Sequence, residues 1–298
     1  MKMNVVTLRP LWYVLSALMI GLSLAFFAMW GLKQGIEFTG GSLMVLRYQD
    51  RPSITEIEQS LRTPSVDFGS VVIQPVGDTD VQLRLKHLGE EEHKTLFEVL
   101  QKQRADVTEL SFDAIGPVVG EELRQKSLQG IVVVLLAIMA YVAYVFRKVS
   151  IPVQSWKYGL VTIFTAFHDV IVPVGVFSFL GHFYGMEIGT AFIAAVLTIL
   201  GYSITDTIVV MDRIRENLQK KTGTFEEIVT LSVRQTFVRS FSTSITTLLT
   251  LVAIHIFGGE SLRDFTLTLI IGIAVGTYSS IFIASPLLVT WERFRRRK

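Results

Sequence analysis

Six stretches of this chain stay apolar for about the 20 residues that a helix needs to cross a bilayer. They fall near 11–30, 127–146, 158–180, 188–211, 238–257 and 265–290. Between the first and second, the pattern changes to short alternating runs broken by turn residues. GSLMVLRY alternates as a strand does, and Ser53-Ile-Thr-Glu56 is a capping box that opens a helix through about Arg62. VVIQPV and VQLRLK read as two strands around Gly77-Asp78-Thr79-Asp80. GEEEHKTLFEVLQKQ is an amphipathic helix with acids in its first turn, and VTELSFDAIG supplies a last strand. The pattern predicts an all-α bundle of six transmembrane helices. An α+β domain of ferredoxin-like β-α-β-β-α-β order stands between helices 1 and 2.

Composition agrees with a polytopic membrane protein. Half of the 298 residues are apolar, mean hydropathy is +0.48, and 18% are charged, against about 25% in soluble chains. There are no cysteines, which excludes disulfides, thiol catalysis and cysteine-based metal sites. The first span lacks a small-residue cleavage site and reads as a retained anchor.

The net charge of +2 says little, whereas the distribution of charge sets orientation. Lys2 and Arg9 precede the first span. Arg147, Lys148 and Lys157 join the second and third, and Arg213, Arg215, Lys220, Lys221 and Arg234 join the fourth and fifth. RFRRRK ends the chain, and the two remaining short loops hold Arg263 between them. Both termini are therefore expected in the cytoplasm, with 31–126 outside. The expected divisions are a tail at 1–10, helix 1 at 11–30, the outer domain and its connectors at 31–126, helices 2–6 at 127–290, and a basic tail at 291–298. Basic clusters at cytoplasmic span ends are explained by topology and anionic lipid, so no nucleic acid is expected as a partner.

Charge inside the spans carries the candidate chemistry. A carboxylate at the centre of a membrane helix costs at least about 2.5–3.5 kcal/mol on insertion scales, and such groups pair and mark ion routes. Asp206 lies in the fourth span and Arg239 near the start of the fifth, on the same side of the membrane. Arg239, Thr243, Thr246 and Thr250 form a polar stripe at helical spacing, as do Thr198, Tyr202 and Asp206. Two facing stripes can order water and pass a proton, and the alternative is a static ion pair that fixes packing. His168-Asp169 in the third span is either a relay element, because imidazole titrates near neutrality, or a structural pair at a kink at Pro173. His87, His93 and His255 read as surface or interfacial. In the sixth span, Gly272, Gly276, Ser280 and Ala284 repeat every four residues and predict close helix packing. No nucleophile–base arrangement or metal-ligand spacing argues for an enzyme, and no cofactor is implied.

Several motifs in order carry a family resemblance: GIEFTGGSLM, FDAIGPVVGEELRQKSL, HDVIVPVGVFS, GYSITDTIVVMDRIREN and RSFSTSITTLLTL. With six spans and one large loop, the chain resembles the SecF subunits of the bacterial Sec translocase, in the resistance-nodulation-division superfamily. The resemblance implies a SecD partner, action beside the SecYEG channel with YajC, and use of the proton motive force late in export of a polypeptide. It also implies that the family's transmembrane Asp and Arg fall on Asp206 and Arg239. Glu37 stands where the family usually has Asp, and Thr205 where Asn is common. Rival readings are a proton-coupled lipid or drug exporter working as a dimer, and a scaffold whose charges only pack helices.

Overall fold

The computed structural model describes residues 5–62, 67–147, 154–259 and 262–296. Lys2, Lys148, Arg297 and Lys298, which the orientation argument uses, lie outside the described residues. The chain divides into two compact units, Gln34–Leu128 and a second made of Met1–Lys33 and Gln129–Lys298.

In the first unit a four-residue helix, α2 (Ile36–Thr39), leads into β1 (Gly41–Arg47), followed by α3 (Ile54–Leu61), β2 (Val72–Val76), β3 (Asp80–Leu85), α4 (Glu90–Gln103) and β4 (Thr108–Ile115). The strands form one antiparallel sheet in the order β2-β3-β1-β4. Alternation sends Met44 and Leu46 of β1 and Val81 and Leu83 of β3 into a core with Ile57 of α3 and Leu96 and Leu100 of α4. Ser53 and Glu56 complete the capping box in both directions. The Gly40-Gly41 pair has a geometric cause. Both have positive φ, +70° and +126°. A Cβ on Gly40 would lie 2.8 Å from Pro117 Cα, and one on Gly41 2.8 Å from the Leu85 carbonyl oxygen.

Outside that unit, α1 (Arg9–Trp30), the later part of α5 (Pro117–Phe146), α6 (Ser155–Tyr184), α7 (Thr190–Lys220) and α8 (Phe225–Phe257) precede a last helical path. That path runs as α9 (Arg263–Ser279), a π turn (Ser280–Ala284) and α10 (Ser285–Arg296). Six helices are long and apolar enough to cross a membrane. They outrun the apolar runs that predicted them, most plainly α8, whose Thr224 and Glu227 form a capping box 11 residues or more before the expected start of the span. Proline at 173 does not interrupt α6.

The last path is the bundle's centre. Two-thirds of its apolar window (67%) is buried, against 6% for α5. It packs on α6, α7 and α8, while α1 packs on α6. Small residues set these approaches. A Cβ on Gly272 would lie 2.1 Å from Ile199 Cδ1, and one on Gly276 3.1 Å from Ser203 Cβ. The small-residue ladder therefore faces α7, and Ala284 is buried at its end. Gly175 of α6 meets Ser23 of α1 in the same way, at 2.3 Å from its Cα.

Candidate functional site

Asp206 sits half-buried on α7. Its two oxygens are held by hydroxyls from two other helices: Ser240 Oγ on α8 donates to Oδ1 at 2.5 Å, and Ser280 Oγ in the π turn donates to Oδ2. Hydrogen bonds to a charged group are worth about 1.5–3 kcal/mol each, so two such bonds offset much of the cost of placing a carboxylate there.

The expected Asp206–Arg239 ion pair is not formed; no ion pair joins the two among the described residues. The reason lies in the phase of α8. Its buried positions include Ser232, Thr236, Ser240 and Ser244, a four-residue ladder that turns Ser240 toward α7. Arg239 is displaced by one residue, about 100° around the helix, and its side chain is exposed. Both groups nevertheless line one outward-opening cavity of about 380 Å³ with Thr198, Tyr202 and Thr243. Thr246 and Thr250 continue the exposed stripe beyond that lining. Thr198, Thr205, Thr243, Thr246 and Thr250 each donate to a carbonyl of their own helix, which leaves their oxygens able to accept from outside. Tyr202 instead donates to Ser244 on α8, which also accepts from Thr277 of α9.

His168 and Asp169 on α6 form a second, sealed site; both are 0% exposed. Asp169 Oδ1 shares a 2.9 Å bond with His168 Nδ1, and Oδ2 accepts from Ser203 Oγ on α7 and from Ser279 Oγ on α9 at 2.6 Å. Gly276 packs beside the pair: a Cβ there would press on Ser203 Cβ at 3.1 Å while making ordinary contact, 3.6 Å, with Asp169 Oδ2. Four helices thus meet around two carboxylates. The acids and the arginine were legible in the sequence, but the serines that hold them were not. Ser203, three residues before Asp206, and the Ser279-Ser280 pair on the glycine ladder were the available signals.

Elsewhere, His255 Nδ1 is 3.0 Å from Thr266 Oγ1. His93 is partly buried, stacked on Phe112 and 2.9 Å from Glu109, and so is more enclosed than a surface residue. No group of His, Cys, Asp or Glu among the described residues could hold a metal.

Apolar helices closing around two hydroxyl-held carboxylates define a multi-pass membrane protein with titratable groups in its bundle. The description "Protein export membrane protein SecD/SecF, C-terminal" matches residues 95–294, and the SecD/SecF GG motif matches 26–50. The chain belongs to the SecF family within SecD/SecF. It is 39% identical to the protein translocase subunit SecF of Thermobaculum terrenum, over 97% of this chain and 94% of that one. It is 36% identical to the protein translocase subunit SecDF of Thermus thermophilus, over 89% of this chain and 35% of that one. The crystal structure of that translocon-associated SecDF superposes with a TM-score of 0.84 at 34% identity, over 98% of this chain. The chain spans 39% of the length of that solved SecDF chain.

Proposed function

We propose that this chain is the SecF subunit of a bacterial Sec translocase, and that with SecD it uses the proton motive force to promote late-stage protein export. The likeness along nearly its whole length to subunits named for translocation carries this reading and disfavours the self-sufficient exporter dimer. The single SecDF chain of Thermus thermophilus supports SecD as partner. SecYEG, YajC and an emerging polypeptide complete the proposed assembly in the inner membrane.

The outward face of α7 and α8 supports the pairing on physical grounds. Arg239, Thr243 and Thr246 are exposed on a helix apolar enough to be in lipid, where an arginine costs at least about 2.5–3.5 kcal/mol. A second bundle seated over the cavity would take these groups out of lipid and enclose Asp206 and Arg239 in one polar chamber. Asp206, Arg239, Thr243 and Thr246 are the proposed proton-coupling residues. Gly272, Gly276, Ser280 and Ala284 are the proposed packing ladder, with Ser280 also a ligand of the acid.

Protonation of Asp206 would cancel the charge that Ser240 and Ser280 serve and let α8 and α9 shift. The outer domain, taken as ferredoxin-like on its strand order, would respond through 31–41 and 113–126 and alternate between holding and releasing the polypeptide. With the positive-inside charges on the other side, both termini are placed in the cytoplasm in this reading. One charge crossing 100 mV releases about 2.3 kcal/mol, enough to bias two states about fiftyfold. The test is Asp206→Asn in vesicles with SecD. Insertion and co-purification with SecD should persist while stimulation of export by the proton gradient is lost. Unchanged stimulation would overturn the scheme.

A further inference from the structure

His168 has one ring nitrogen accounted for and one not. Asp169 accepts hydroxyl donors from Ser203 and Ser279 on Oδ2 and meets His168 Nδ1 at Oδ1, so the carboxylate form with an Nδ1–H donor satisfies every bond. The opposite nitrogen, Nε2, is buried and has no hydrogen-bond partner among the described residues. Two protonation forms put a hydrogen on Nε2 and would strand a buried donor. The neutral Nδ1–H tautomer leaves only a lone pair there, and under-satisfied acceptors are tolerated better than orphaned N–H groups. The imidazole therefore rests as a base with a carboxylate behind it. Asp–His pairs of this form hold the ring's tautomer and stabilise an imidazolium once it forms.

The surroundings tie this base to Asp206. Ser279, which bonds Asp169, and Ser280, which bonds Asp206, are neighbours in one backbone. Ser203, the other donor to Asp169, lies on α7 three residues before Asp206. The titratable groups facing the imidazole are Asp169 on α6 and Tyr278 on α9, whose ring centre is 6.2 Å away. Tyr278 is bonded to Trp12 and Ser16 of α1, and Asp206 stands on α7 with Arg239 of α8 across its cavity.

We propose that His168 Nε2 is a second proton-binding position of the bundle, with Asp169 as its fixed counter-charge, and that Ser279 and Ser280 couple its loading to the state of Asp206. The inference rests on the proton-coupled reading above and adds a site to it. The proton comes from hydronium: an N–H bond forms at Nε2, water is left, and Asp169 neutralises the imidazolium across the Nδ1–H bond. Because the pair is sealed, loading requires α6, α7 and α9 to part. Release of Ser280 from a protonated Asp206 starts that movement, and Ser279 follows on the same strand of backbone.

The test uses the full chain with its SecD partner in vesicles, labelled with ¹⁵N-histidine and read by NMR. His87, His93, His182 and His255 are identified by single replacement with Gln. His168 should show the Nδ1–H tautomer at alkaline pH and an imidazolium signal on acidification. Asp206→Asn should move the onset of that signal by about one pH unit, a tenfold change in proton affinity. Ser279→Ala, which keeps every titrating group, should reduce the coupling. A His168 that remains neutral throughout, or an onset unmoved by Asp206→Asn, overturns the proposal. If Asp206→Asn abolishes gradient-driven export while His168 never ionises, the Asp206 scheme stands and this one falls. If gradient-driven export survives Asp206→Asn, the Asp206 scheme falls.

Discussion

Ser279 and Ser280 are adjacent in sequence yet bond different carboxylates, Asp169 on α6 and Asp206 on α7. A regular α-helix turns neighbouring side chains about 100° apart, so α9 reaches two helices from one position. The π turn begins at Ser280, and such wide turns recur at functional sites. Any movement of α9 changes both contacts together.

Ser280 can be tested by its hydroxyl. Ser280→Ala removes a donor to Asp206, at a cost of about 1.5–3 kcal/mol if the acid stays charged. The pH profile of proton flux through the SecD complex should shift, and Ser280→Thr should restore it. An unchanged profile in the alanine variant would remove Ser280 from the site.

Arg239 makes a contrasting case. Because it forms no ion pair with Asp206 here, Arg239→Ala should leave the stability of the isolated chain within about 0.5 kcal/mol. Retention of SecD on purification should fall. A loss near 3–5 kcal/mol, the size expected when a buried pair is broken, would show that the arginine is already paired within this chain.

Two glycines grade the packing. Gly175→Ala sets its Cβ 2.3 Å from Ser23 Cα, a backbone atom, so α1 and α6 must separate. Gly272→Ala meets Cδ1, Cγ1 and Cγ2 of Ile199 at 2.1–2.9 Å, a buried β-branched side chain that cannot simply turn aside. Overpacking costs about 1–3 kcal/mol, with Gly175→Ala, which meets backbone, at the upper end and Gly272→Ala below it but within the range. Unfolding in mixed detergent micelles measures both.

Gly40→Ala and Gly77→Ala separate strain from collision in the outer unit. Both positions have positive φ, +70° and +58°, but space is open around Gly77 while Pro117 crowds Gly40. Gly77→Ala should cost about 1 kcal/mol and Gly40→Ala clearly more. Hydrogen exchange at β1 reads the difference.

Asp80 gives the pH dependence. The fork of Arg47 bonds both its oxygens, at 2.8 and 2.7 Å, and holds the carboxyl below its ordinary value of 3.8. A lowered folded value means the stabilisation is complete above the ordinary value and is lost as pH falls through the folded one. Arg47 is 57% exposed, so Asp80→Asn should cost only about 1 kcal/mol at neutral pH. The difference should vanish in strong acid, as followed by exchange at β3.

Regular structure was readable because burial leaves a period: alternation for β1 and β3, continuous apolar runs for the spans, and the Ser53–Glu56 box for α3. The same logic missed the first turns of α5 and α8, where Glu121, Glu122, Glu226 and Glu227 mark solvated helix and interrupt the apolar signal. Within the bundle, charge drew attention to Asp206, Arg239, His168 and Asp169. Pairing Asp206 with Arg239 by sign was the error, since hydroxyls at Ser240 and Ser280 hold that acid, whereas the His168–Asp169 pair does form, with Ser203 and Ser279 added to it. Serine is common in membrane helices, and only its angular position relative to each acid distinguishes these four.

The five-residue turn between α9 and α10 carries a last consequence. Wound at the ordinary pitch of an α-helix, the same five residues would swing everything downstream by about 100°. Arg293 would then leave Glu226, and Thr290 would leave Tyr13. The irregularity is thus a phase adjuster, letting one rod present serines to the acids at its waist and still dock its far end.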